Sequence, residues 1–238
     1  MIVYGISKYG LSVQLGVTPD EAQDFIDKYL DSKPAVEKLI NDVHNFVKRN
    51  GFVELLSGFR RQLPGIFSAD KASISSALRE SVNTLIQGSG AYLTNSSLVY
   101  IQNYLEKTGK DSKLALTVHD SIMGDVPYDE ITDVLPKVLN IMTNLPYSWL
   151  KVEHDGELVR YPIDAEMTIG YNYSDQVDFD LEDFNTFLSP NGYIDYYMRL
   201  DEIEAKHDSG DISDEEYTAE IETAKNSKEK YRSIPLQN

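Results

Sequence analysis

The longest helical pattern in the chain runs from about Ala72 to Lys107 and is stopped by Thr108-Gly109. Everything else has to be arranged around it. Gly88 and Gly90 lie inside the pattern, where glycine costs helix stability and so requires a reason. Two shorter helices precede it. Thr18-Pro19-Asp20-Glu21 reads as a helix start, with Thr18 as N-cap, Pro19 in the first turn and Glu21 closing a capping box. A second helix opens near Pro34, carries Val36, Leu39, Ile40, Val43 and Val47 on one face, and stops at Asn50-Gly51. These two are expected to pack as a hairpin. Phe52 to Leu56 and Arg60 to Leu63 read as short strands around Ser57-Gly58, ended by Pro64. After the long helix, Leu114 to Val118 and Ile122 to Val126 flank His119-Asp120-Ser121 and predict a β-hairpin. An amphipathic helix with Ile131, Val134, Leu135, Val138, Leu139 and Met142 follows, and a last strand is expected over Ile163 to Ile169. Few strands among several long helices place the chain in the α+β class.

Composition then narrows the function. The 238 residues, 41% hydrophobic and 26% charged, suffice for one substantial core with an appendage. No apolar run approaches the roughly 18 to 20 residues of a membrane span, so no membrane partner is expected. The absence of cysteine excludes disulfides, thiolate zinc and a cysteine nucleophile; it suits a cytoplasmic location, and any metal must sit on oxygen or imidazole. A net charge of −17 argues against nucleic acid until its distribution is read. From Asp175 onward there are 17 acids and 6 bases, leaving 22 acids and 16 bases before it. Between Gly58 and Arg79 the chain holds Arg60, Arg61, Lys71 and Arg79 against Asp70 alone, a basic patch in an acidic chain. The composition shift at about Ser174 divides residues 1–174 from an acidic extension, 175–238. In that extension Ser213-Asp214-Glu215-Glu216 signals a second capping box and a small helical hairpin.

Two constellations can carry chemistry. Val118-His119-Asp120 at a hairpin tip pushes a carboxylate out of the sheet, where it can hold a hard cation; a solvated turn aspartate is the plainer alternative. Arg79, Asn83 and Gln87 are spaced four apart and form a polar stripe opposite Leu78, Val82, Leu85 and Ile86. Asn and Gln both donate and accept, which matches minor-groove acceptors present on every base pair, and Arg suits phosphate or sugar. An ordinary solvent face is the alternative. Gly88-Ser89-Gly90 would let something large approach the helix, or would serve tight packing.

The runs Gly51-Phe52-Val53-Glu54-Leu55-Leu56-Ser57-Gly58-Phe59-Arg60-Arg61-Gln62-Leu63-Pro64, Arg79-Glu80-Ser81-Val82-Asn83-Thr84-Leu85-Ile86-Gln87-Gly88 and Val118-His119-Asp120 resemble, in order and approximate spacing, the family A DNA polymerases of the bacterial DNA polymerase I type. Tyr4-Gly5-Ile6-Ser7 resembles the end of that family's fingers helix, and the likeness spans about Ile2 to Tyr173. Split phage polymerases of the family offer a parallel. The resemblance implies a partial palm whose hairpin carries the catalytic aspartate, with long helices of fingers and palm. By the same resemblance Asp120 is the motif C ligand of a two-magnesium centre, His119 its neighbour at the primer end, Arg79, Asn83 and Gln87 the minor-groove contacts, and Tyr4 the tyrosine beside the templating base. Arg60 and Arg61 join them as DNA-binding candidates.

The sequence also departs from the family. Ser121 stands where a glutamate is usual, and the motif A strand and the triphosphate-binding lysine and arginine belong upstream of the residues matched. The expected function is therefore the C-terminal portion of a DNA-directed DNA polymerase, active when a partner chain, an N-terminal polymerase fragment, brings motif A. Its ligands would be primer-template DNA, dNTP and shared Mg2+, in the host cytoplasm if phage-encoded. The alternative is a non-catalytic remnant that binds DNA or a replisome protein.

Overall fold

The computed structural model describes residues 2–236. A 3-10 turn, Ile2–Tyr4, leads into α1 (Lys8–Leu15), capped by Ser7, whose hydroxyl accepts the Gly10 N–H. α2 (Pro19–Asp31) begins with both halves of the expected capping box: Glu21 N–H donates to Thr18 Oγ1, and Thr18 N–H donates to the Glu21 carboxylate at 2.9 Å. α3 (Pro34–Asn50) ends on Gly51 in the left-handed conformation, which returns its N–H to Val47 O. β1 (Phe52–Glu54) pairs antiparallel with β2 (Arg60–Gln62), setting Glu54 opposite Arg60.

The long pattern is one helix, α4 (Lys71–Thr108). Asp70 starts it by accepting the N–H groups of Ala72 and Ser73, and the Ser73 hydroxyl followed by those N–H groups holds its carboxyl below the usual range. β3 (Lys113–Val118) and β4 (Ser121–Asp125) form a two-stranded sheet with His119-Asp120 between them. α5 (Ile131–Thr143) contains Pro136.

β5 (Lys151–His154) and β6 (Glu157–Arg160) make an antiparallel hairpin absent from the sequence expectation. Its turn, Asp155-Gly156, takes positive φ at both positions, and this dipeptide is a strong hairpin signal. The strand expected over Ile163 to Ile169 is cut down to β7 (Thr168–Gly170), paired with β8 (Gln176–Asp178). The alternation itself is real, since Ile163, Ala165, Met167 and Ile169 are half-buried and their neighbours exposed. Period two reports which face turns inward and not whether a neighbouring strand exists to pair with. α6 (Leu181–Phe184), α7 (Pro190–Asp208), α8 (Asp214–Asn226) and α9 (Lys228–Arg232) complete the chain. The Ser213/Glu216 capping box opens α8.

These elements fall into two compact units. The first takes in residues 1–96, 117–121 and 147–160. Its core joins Val43 and Val47 of α3, Val53, Leu63 and Ile66 to Ala77 and Val82 of α4. Full burial of each valine, leucine or isoleucine among them stabilises by about 1.5–3 kcal/mol.

The second takes in residues 97–116, 122–146 and 161–238. One of its clusters sets Ile101 and Leu105 against Val134. The larger one joins Ile131 and Leu135 of α5 to Val177, Phe184, Phe187, Tyr193, Ile194 and Tyr196. The composition break at Ser174 thus coincides with no gap in packing, because β7 pairs with β8 across it. Glu130 fixes the approach to β3 by accepting the N–H groups of Asp111 and Ser112, each at 3.0 Å. Among the described residues, no helix is long and apolar enough to cross a membrane.

Candidate nucleic-acid interface

The first unit contains every residue proposed from the sequence for catalysis, metal or DNA. Arg79, Asn83 and Gln87 project from α4 within its first half; Arg79 and Gln87 are exposed and Asn83 is half-buried. Arg79 Nη1 donates to Ser75 Oγ at 2.8 Å. The Oδ1 atom of Asn83 is buried without a hydrogen-bond partner among the described residues. Such an orphaned acceptor costs about 1–3 kcal/mol unless something donates to it.

Asn83 and Arg79 line an open cavity of about 550 Å3 with Gly5, Ile6, Ser7, Ser76 and Glu80. Gly5 lets the N-terminal segment lie against α4: its φ is +74°, and a Cβ there would meet Arg79 Cγ at 3.0 Å. Tyr4 itself, read as a neighbour of the templating base, has a side chain outside the described residues. Ser76 and Glu80 escaped the sequence reading although they lie at helical spacing from Asn83, which is the signal that would have found them. Gly5 and Ser7 reach the cavity through a long-range approach with no local signature.

The glycine pair in α4 separates into two cases. A Cβ on Gly88 would meet both Leu55 methyls at 3.0 Å, so tight packing accounts for it. At Gly90 a Cβ would meet nothing within 4 Å, and the residue is exposed.

Arg60 and Arg61 are engaged within the unit. Arg60 pairs with Glu54 and covers the Phe52 ring at 4.8 Å. Arg61 donates to Thr84 Oγ1 at 2.7 Å and to Glu80 at 3.0 Å, tying β2 to α4. Both keep about half or more of their side chains exposed, so these ion pairs are weak and can exchange for phosphate.

At the β3–β4 turn His119 takes φ +56°, an uncommon conformation for a residue with a side chain. Asp120 follows it, exposed and with no hydrogen bond or ion pair within the described residues. Ser121 Oγ donates to Val118 O at 2.8 Å and so braces the turn. Its hydroxyl is spent on the backbone and supplies no charge. Among the described residues no three His, Asp or Glu side chains gather to hold a metal ion, so these residues alone do not fit a magnesium pair; Asp120 can supply one carboxylate.

Comparison with known proteins gives the context of this site. The family described as DNA polymerase family A matches residues 1–175. The DNA polymerase of Bacillus phage SP01 is 41% identical over 187 residues, covering 76% of this chain and 20% of that protein. DNA polymerase I of Bacillus subtilis is 38% identical over 138 residues, covering 58% of this chain and 16% of that protein. The chain therefore spans a fifth or less of the length of these relatives. Among solved structures, the POL domain of Pol1 from M. smegmatis in complex with DNA primer-template and dNTP matches with a TM-score of 0.58 and 29% identity, over 60% of this chain and 25% of that one. A family match over residues 1–175 places the chain in DNA polymerase family A.

Proposed function

We propose that this chain supplies the motif C carboxylate and the primer-template minor-groove contacts of a DNA-directed DNA polymerase. The observation that carries the reading is that one compact unit holds both the exposed, unpartnered Asp120 and the Arg79, Asn83, Gln87 stripe. The stripe would check pair shape through acceptors common to all correct pairs, to which its Arg, Asn and Gln side chains can donate. Asp120 would be one ligand of a magnesium pair whose other carboxylates come from a partner polypeptide carrying motif A and the triphosphate-binding residues. Residues 1–174 would be the fingers and palm portion and 175–238 an acidic extension.

Surface chemistry supports a partner. Among the described residues each of the four sheets has two strands, so each of those strands is an edge. β3 leaves Leu116 57% exposed and Val118 37%, and Val13 of α1 is 83% exposed. Such apolar groups on edge strands and helix faces suit burial by a further chain.

The test is co-expression with a polypeptide carrying motif A, followed by primer extension with magnesium and dNTPs. Template-dependent incorporation that disappears in Asp120→Ala is expected. No incorporation by any such pair, or synthesis unchanged in Asp120→Ala, rejects the assignment. A second reading, a non-catalytic DNA-binding remnant, draws on Ser121, whose hydroxyl serves the turn instead of adding charge. Primer-template binding that needs Arg79 and Gln87 but no magnesium, without synthesis in any pairing, would favour it.

A further inference from the structure

The second unit carries a groove that the polymerase reading does not use. Pro136 and Leu139 of α5, Met167, Phe179 and Leu181 line its apolar part, all half-buried, and the cavity measures about 450 Å3. Glu166 and Asp178, both exposed, and the half-buried Ala165 complete its lining. We propose that this groove docks a basic, leucine-bearing segment of a partner protein, with aliphatic side chains on the apolar floor and lysine or arginine against Glu166 and Asp178.

Charge complementarity selects that occupant. Neither Glu166 nor Asp178 has a cation at ion-pair distance within the described residues, and Asp201, close enough to Asp178 to feel its charge, has none either. Burial first, then the charges of Asp178 and Glu204, pushes the Asp201 carboxyl up. The surrounding stretch from Asp175 carries 17 acids against 6 bases, so a nucleic acid or an acidic peptide would be repelled while a basic segment is drawn in. The volume lies in the range of about 300–1,000 Å3 that takes side chains or small ligands, and Met167 is an adaptable wall. This inference stands apart from the polymerase assignment, since it uses neither Asp120 nor the α4 stripe.

The experiment uses the full chain labelled at its methionine and leucine methyls. The probe is a 14-residue synthetic helix of leucines and lysines with the leucines on one face. Saturable shifts of the Met167 and Leu139 methyls are expected on titration, with affinity at least tenfold weaker in the double variant Glu166→Gln, Asp178→Asn. Leu139→Ser should weaken binding similarly; the remaining methyl shifts report whether each variant is folded. A probe with serine in place of leucine should lose at least tenfold, and one with glutamate in place of lysine should not bind. Equal binding of the serine probe would reduce the groove to general acidic attraction and overturn the proposal. Unmoved Met167 and Leu139 methyls, or unchanged affinity in the folded double variant, would do the same. Concentration-dependent shifts of these methyls without probe would assign the groove to a second copy of the chain and also overturn it.

Discussion

In the second unit the polar groups around Tyr193 and Asp183 are tied into structure. Tyr193, 1% exposed, donates its hydroxyl to Asp178 O at 2.8 Å and accepts the Asp180 N–H at 2.9 Å. Asp183 accepts from Lys228 at 2.8 and 2.9 Å and from Tyr197 at 2.6 Å, and Lys228 lies 5.1 Å over the Tyr196 ring. In the first unit Asp120 is exposed and unpartnered, and Asn83 keeps an orphaned acceptor. Polar groups satisfied within a fold contribute to its stability. A buried group left unsatisfied, such as Asn83 Oδ1, costs stability, whereas an exposed one such as Asp120 is held by water alone and is free to take a ligand. The contrast separates the self-satisfied core around Tyr193 and Asp183 from a turn whose Asp120 carboxylate is open to a ligand.

The sharpest way to break this contrast is Asp120→Ala. In the assembled polymerase, incorporation should fall by about a thousandfold or more, as expected for loss of a metal-binding carboxylate. Thermal stability should shift by less than about 0.5 kcal/mol, because the side chain is exposed. Primer extension and a melting curve on the same preparation separate the two effects. Tyr193 makes the opposite case. Tyr193→Ala should cost about 3–5 kcal/mol in urea denaturation through the cavity it leaves. Tyr193→Phe should cost about 1–3 kcal/mol, mainly through the stranded Asp178 carbonyl and Asp180 N–H.

Asp183 adds a pH signature to the second unit. Burial raises its carboxyl pKa, but hydrogen bonds from Lys228 and Tyr197 and the Lys228 and Arg232 charges outweigh that and leave it below the ordinary 3.8. A depressed folded value means its contribution is complete above the unfolded value and is lost as pH falls through the folded one. Asp183→Asn should therefore destabilise by about 1–3 kcal/mol at pH 7, between the exposed and buried ranges for ion pairs. The gap from wild type should begin to narrow below about pH 4 and close as pH falls through the lower folded value. A gap that does not narrow at all as pH is lowered below about 4 would mean the pair contributes through packing alone.

Smaller effects sharpen the first unit. Asn83→Leu removes an orphaned acceptor and should leave stability unchanged or raise it by about 1 kcal/mol, while weakening primer-template affinity in a binding titration. A stability loss would mean the amide already has a structural role. Gly90→Ala, with open space for its methyl, should stabilise α4 by about 0.5–1 kcal/mol. Gly88→Ala should gain less, because Leu55 must give way. Equal gains would show that Leu55 shifts freely.

Much of the local structure was legible in the sequence. The Thr18 and Ser213 capping boxes, the stop at Gly51 and the single helix through Gly88 and Gly90 follow from backbone donors needing side-chain acceptors and from helical periodicity. The polar stripe of α4 follows from spacing alone. The β5–β6 hairpin was equally legible through Asp155-Gly156 and went unread.

Tertiary structure alone decided the rest. It decided that the Ile163 to Ile169 segment finds a strand partner only from Thr168, and that the tail past Ser174 shares its core with Ile131 and Leu135 of α5. Neither the pairing of Arg61 with Glu80 and Thr84 nor the use of the Ser121 hydroxyl by Val118 O was visible in advance. A chain writes its local hydrogen bonding and its inward faces into residue order, because those depend on neighbours a few positions away. Which distant group meets an inward face, or leaves an Asn83 acceptor without a donor, depends on packing between segments that no short window of sequence contains.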